Sequence, residues 1–154
     1  MIAKRILVPT DFSRYAQEAF SKAKEIAAES GAAIHLLHVV EPVAVPMTVA
    51  MGLPSGDVLD RMETSAQEAL RAFVKKNAGA GAVESLVTVG SPASEIVRYA
   101  DRNKIDLIVM PTRGNTGLTH FLLGSVAERV VRTAKCPVLI VPPQGKGGKK
   151  KKKR

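Results

Sequence analysis

The chain has 154 residues, 45% of them hydrophobic and 24% charged, enough to bury one core without disulfide or metal staples. Cys136 is the only cysteine, and His35, His38 and His120 lack the neighbours that metal spacing requires, so an internal disulfide and a Cys/His metal centre are excluded. The formal net charge of +9 suggests a polyanion binder until it is located, because seven of the positive charges are Lys146 and residues 149–154, leaving the rest of the chain close to neutral.

The N-terminus leads directly into Arg5-Ile6-Leu7-Val8-Pro9-Thr10, a short β-branched run. No long apolar leader precedes it and nowhere do 18 apolar residues run together, so a cytoplasmic protein, neither exported nor membrane-spanning, is expected. Asp11-Phe12-Ser13 then offers capping oxygens to a helix whose Ala16, Ala19, Phe20, Ala23, Ile26 and Ala27 recur at three- and four-residue steps, with Ser30-Gly31 as its stop. Residues 33–40 read as a second strand. Residues 41–56, punctuated by Pro42, Pro46, Gly52 and Pro54, read as a long mobile loop.

A second helix places Leu59, Met62, Ala66, Ala69, Leu70 and Phe73 on one face and closes at Asn77-Ala78-Gly79. Residues 83–89 form a third strand. Gly90-Ser91-Pro92 opens a short helix with Ser91 as cap, Pro92 in the first helical position, and Ile96, Val97 and Ala100 on its buried side. The apolar runs 106–110 and 138–141 suit strands covered on both faces, and a helix over 126–134 lies between them. Five strands alternating with four helices, without an internal repeat, predict an α/β domain: an open parallel sheet with helices on both faces. In such sheets ligands bind beyond the carboxyl ends of the strands, where strand order reverses, so the loops after the first and fourth strands are the candidates.

The loop after the fourth strand carries the chemistry. Gly114 permits close backbone approach, and Gly124-Ser125 at a helix start presents unpaired amides, a hydroxyl and the positive end of the helix dipole, as a phosphate site requires. Taken alone, the same residues also fit a plain turn followed by a helix cap.

The stretches Ile6-Leu7-Val8-Pro9-Thr10-Asp11-Phe12-Ser13, Leu37-His38-Val39, Gly90-Ser91-Pro92, and Arg113-Gly114 followed after nine residues by Gly124-Ser125-Val126, occur in that order. Together with the closing Lys135-Cys136-Pro137-Val138-Leu139-Ile140-Val141, they make residues 4–142 resemble the universal stress protein family. The resemblance implies a Rossmann-like sheet of order 3-2-1-4-5, a homodimer joined through the last strand, and, in one large branch, ATP held between strands one and four. Carried over by residue, Pro9, Thr10, Asp11 and the backbone of Val39 would meet the adenosine end, with Met110 under the base. Thr112, Arg113, Gly114, Asn115, Thr116 and Gly117, with Gly124, Ser125, Val126 and Ala127, would cradle the phosphates. Mg²⁺ would arrive with the nucleotide, held through phosphate and water, and Arg113 or His120 would neutralise charge. Asp11 also fits a helix-initiating role, and the two roles are compatible.

One position departs from the family's Gly-x-x-Gly, nine residues, Gly-Ser/Thr pattern: Pro111 stands where the first glycine belongs. Proline has no N–H to give a ligand. The loss of one charge-assisted donor, about 1.5–3 kcal/mol, weakens binding without abolishing it. No G-x-x-x-x-G-K-[ST] loop, G-x-S-x-G elbow or H-E-x-x-H helix is present, so machinery for rapid turnover is missing. The expected function is an ATP- or adenine-nucleotide-binding regulatory module of the stress response. A nucleotide-independent dimeric scaffold is the alternative, and slow ATP hydrolysis or self-phosphorylation at Ser125 or a nearby threonine is the secondary hypothesis. Residues 1–143 are expected to form the domain and 144–154 a disordered basic tail. That tail reads either as a solvated appendage or as a weak, salt-dependent polyanion contact.

Overall fold

The computed structural model describes residues 2–42, 45–52, 54–79, 81–114 and 123–144. The elements run β1 (Arg5–Pro9), α1 (Arg14–Ser30), β2 (Ala33–Val40), α2 (Val45–Ala50), α3 (Ser55–Asn77), β3 (Val83–Val89), α4 (Pro92–Arg102), β4 (Leu107–Pro111), α5 (Ser125–Thr133) and β5 (Val138–Val141). All strand pairings are parallel and the order is β3-β2-β1-β4-β5, as the resemblance implies.

Strand alternation divides the core in two. Ile6 and Val8 of β1 join Phe20, Ala23, Leu70 and Phe73 from α1 and α3 on one face of the sheet. Leu7 between them points the other way and meets Ile96, Ala100 and Val130 from α4 and α5. Phe20 is fully buried and meets Phe73 edge-on with ring centroids 5.6 Å apart. The predicted apolar face of α1 is buried at Ala16, Ala19, Phe20 and Ala23, while Ile26 and Ala27 are only half-buried. Gly31 ends that helix in the left-handed conformation (φ 72°) and donates its N–H to the Ala27 carbonyl.

The segment 41–56, expected as a loop, contains α2, so five helices rather than four are found among the described residues. Pro46 falls in the first turn of α2, where a helix leaves its amides unsatisfied in any case, and therefore starts the helix instead of breaking it. Ser91 does occupy the cap of α4, but its side chain makes no capping bond. The fourth strand begins at Leu107, and Asp106 just before it accepts the amides of Lys4 and Arg5 on its carboxylate, both at 2.8 Å. It extends to Pro111, and α5 spans Ser125–Thr133 where residues 126–134 were predicted. No helix among the described residues is long and apolar enough to cross a membrane.

The two central strands do not stay together. β1 pairs with β2 as far as Pro9 opposite Leu37, and β4 with β5 as far as Pro111 opposite Val141. Between β1 and β4, pairing covers only Ile6 opposite Leu107 and Leu7 opposite Ile108. The sheet therefore opens at the carboxyl ends of these two strands, where strand order reverses.

Candidate functional site

The chain leaving β1 turns sharply. Thr10 donates its amide to Leu37 O (2.8 Å), its hydroxyl oxygen accepts the Phe12 amide (3.0 Å), and Asp11 Oδ1 accepts the Ser13 amide (3.0 Å). Ser13 caps α1 by accepting the Ala16 amide (3.1 Å). Asp11 thus shapes the entry to the helix while Ser13 is the cap. Phe12 sits at φ 64°, a costly conformation for a bulky residue. Its ring stacks on His38 at 4.4 Å, and the His38 Nδ1–H donates to the Thr10 carbonyl (2.7 Å).

The chain leaving β4 forms a neck. Gly124 donates its amide to Thr112 O (2.6 Å), and Thr112 donates to Val141 O (3.3 Å). A Cβ at Gly124 would stand 3.2 Å from Thr112 O and 3.4 Å from the Arg113 Cα, a tight fit that favours glycine. A Cβ at Gly114 would collide with Asp11 Oδ2, which brings the two candidate loops into contact. Asn115, Thr116, Gly117 and His120 lie outside the described residues, as do residues 145–154 of the basic tail.

Both loops border one cavity of about 380 Å³ at the opening of the sheet. Pro9, Thr10, Asp11 and Val39 form one side; Met110, Pro111, Thr112, Arg113 and Gly114 form the other. Gly124, Ser125, Val126 and Ala127 close the end. Each sequence-predicted site residue that is described lines this space.

The chemistry differs along the cavity. Val39, Ile96 and Met110 supply apolar surface, Met110 being almost fully buried. At the α5 end, Gly124 has no capping side chain and the first-turn amides have no intrahelical acceptor, so they offer donors and a positive dipole end. Arg113 stands beside them, and Asp11 and Glu41 place carboxylates on the wall. A planar apolar group with polar edges at one end and an anion at the other match this gradient. Among the described residues no group of three His, Cys, Asp or Glu is placed to hold a metal ion.

Ala16, His38, Glu41, Pro92 and Ile96 also line the cavity and were not predicted. His35 and His38 both lie on β2 but in different surroundings. His35 is buried and bonds the Tyr99 hydroxyl at 2.9 Å. His38 is two strand positions short of the end of β2 and only half-buried, where the sheet is already opening. Its place before Val39 near the end of β2, an inner strand, was the available signal. A more open groove of about 690 Å³, between β2 and α3, shares His38, Val39 and Glu41 with the cavity.

The profile described as the universal stress protein family matches residues 3–142. Universal stress protein MJ0531 of Methanocaldococcus jannaschii is 42% identical over 144 residues, covering 90% of this chain and 81% of its own length. The solved structure of MJ0577, from the same organism, superimposes with a TM-score of 0.80 at 29% identity, covering 94% of this chain and 99% of that one. A universal stress protein solved in complex with cAMP gives 0.66 at 28% identity (92% and 98% covered), and one from Archaeoglobus fulgidus in complex with dAMP gives 0.62 at 25% (91% and 98%). With the profile match over nearly the whole chain and the fold in agreement, this chain belongs to the universal stress protein family.

Proposed function

We propose that this protein is an adenine-nucleotide-binding regulatory module of the stress response, with ATP as its principal ligand. The observation that carries the reading is the gradient in the cavity: apolar surface from Val39, Ile96 and Met110 at one end, uncapped α5 amides with Arg113 at the other. The solved relatives bound to cAMP and dAMP support an adenine nucleotide as the class of ligand. The base lies against Met110, the backbone of Val39 and Asp11 fix the adenosine edge, and the phosphates reach Thr112, Gly114 and the start of α5. Mg²⁺ enters on the phosphates and completes its shell with water. Occupancy then biases the α2 segment and the dimer surface between states of different partner affinity, which requires the ligand to bind those states unequally.

The protein acts as a homodimer through β5. That strand is an edge, and Leu139 on it and Val131 on neighbouring α5 are exposed apolar side chains. A nucleotide-independent dimeric scaffold is the second reading, and Pro111 favours it by removing a donor from the cavity wall.

The test is to denature the purified protein, identify any released nucleotide by mass spectrometry, and titrate nucleotide-free protein with Mg-ATP, AMP and cAMP by calorimetry. Saturable binding lost in Asp11→Ala and weakened in Ser125→Ala supports the nucleotide reading. No binding at millimolar nucleotide supports the scaffold.

A further inference from the structure

Tyr15 occupies the first turn of α1, next to Ala16, but unlike Ala16 it does not line the cavity. Its ring instead supports a residue that does. The Arg113 guanidinium lies over it, with Cζ 4.8 Å from the ring centroid, within range of a cation–π contact. Arg14 approaches the same ring at 5.4 Å and is also paired with Glu18 at 3.6 Å on the helix surface. The Arg113 Nε is buried, although the residue as a whole is only half-buried. Gly124 packs close to the Arg113 backbone, so the residue stands beside the uncapped amides of α5.

An arginine carries four rotatable side-chain torsions, and holding it in one arrangement at the moment of binding lowers affinity. A ring already beneath the guanidinium moves that ordering cost to folding. We propose that Tyr15 is a positioning residue: it fixes the Arg113 guanidinium at the phosphate end of the cavity and so makes the site discriminate nucleotides from uncharged nucleosides. The proposal rests on the nucleotide reading and adds to it the origin of its selectivity for charge. Tyr15 itself contacts no ligand. Its hydroxyl is dispensable and its ring is not.

The experiment compares AMP with adenosine by calorimetry in the wild type, Tyr15→Leu, Tyr15→Phe, Arg113→Gln and the Tyr15→Leu/Arg113→Gln double variant. Tyr15→Leu is expected to weaken AMP roughly three- to thirtyfold, to leave adenosine unchanged, and to have no further effect once Arg113 is Gln. Tyr15→Phe retains wild-type affinity. In the ligand-free protein, the Arg113 Nε–H proton is expected to show an upfield ring-current shift that Tyr15→Phe keeps and Tyr15→Leu loses, with circular dichroism confirming the fold. Equal loss of AMP and adenosine affinity in Tyr15→Leu, or a loss that persists beside Arg113→Gln, overturns the proposal while nucleotide binding stands. A wild type that binds neither ligand overturns the nucleotide reading and, with it, this role for Tyr15.

Discussion

Pro9 and Pro111 withhold the two amide donors that would carry the β1–β4 ladder past Leu7 and Ile108. In β1, Lys4 O accepts from Ala33 and Thr10 N donates to Leu37, so even-numbered positions face β2 and position 9 faces β4. In β4, Ile108 N donates to Pro137 O and Thr112 N to Val141 O, so position 111 faces β1. Both inward-facing positions are proline and neither has an N–H to give. The cavity opens where these two bonds are missing. Pro111 is thus compatible with the site although it withholds a donor from the wall, since it holds open the space that its missing amide would have served.

Pro111→Gly restores an amide on the cavity wall. Mg-ATP or AMP is expected to bind roughly tenfold more tightly, the low end of what a donor to a charged group is worth. Thermal stability should fall by about 0.5–1 kcal/mol from the added backbone freedom. Paired calorimetric titrations and thermal melts measure both. Unchanged affinity would show the new amide engaged with the Pro9 carbonyl instead of the ligand.

Gly114→Ala places a methyl group against Asp11 Oδ2. Position 114 carries no positive φ, so the effect is steric and local: Asp11 or the loop must move. Nucleotide affinity is expected to fall about tenfold or more, as misplaced binding groups lose their contacts, while the melting temperature stays nearly constant. A shared loss of affinity and stability would assign Gly114 to folding rather than to the site.

Gly90→Ala affects stability instead. Gly90 adopts φ 151°, and an added Cβ would lie 2.9 Å from both Glu95 Cγ and Oε1. Glu95 is nearly buried and holds Arg98 at 2.8 Å, so it cannot swing away without breaking that pair. A loss of about 1–3 kcal/mol is expected, lowering Tm by roughly 2–4 °C per kcal/mol in a domain of this size. Denaturant melts at fixed ligand concentration give the value directly.

Asp106 links pH to stability. The amides of Lys4 and Arg5, each 2.8 Å from its Oδ2, hold its carboxyl below the ordinary aspartate value, with the positive charges of the same residues adding to the effect. Because the folded pKa is depressed, the stabilisation is fully present above the unfolded value near 3.9 and is lost as pH falls through the folded one. Asp106→Asn should therefore lower stability at neutral pH and flatten its dependence below about pH 4. Urea midpoints across that range compare the two proteins.

How far the sequence reached varies by element. Alternating runs such as Ile6-Leu7-Val8 and the spacing of Ala16, Ala19, Phe20 and Ala23 specify strand and helix faces locally, because side-chain direction follows backbone period. The α2 helix escaped notice because Pro42, Pro46, Gly52 and Pro54 carry the composition of a loop, and the tolerance of a helix start for proline depends on register.

By itself, then, the sequence determined every element but α2, the open parallel sheet and the two loops that end at the cavity. Each of those is written in contiguous residues. The tertiary structure alone decided that Asp11 meets Gly114 across the opening, that half-buried His38 belongs to the wall, and that Tyr15 lies under Arg113. These pairs are far apart in the chain, and no periodicity or capping rule relates them. They are set by the crossover that lays β4 beside β1 and by the pair of prolines that then keeps the two strand ends apart.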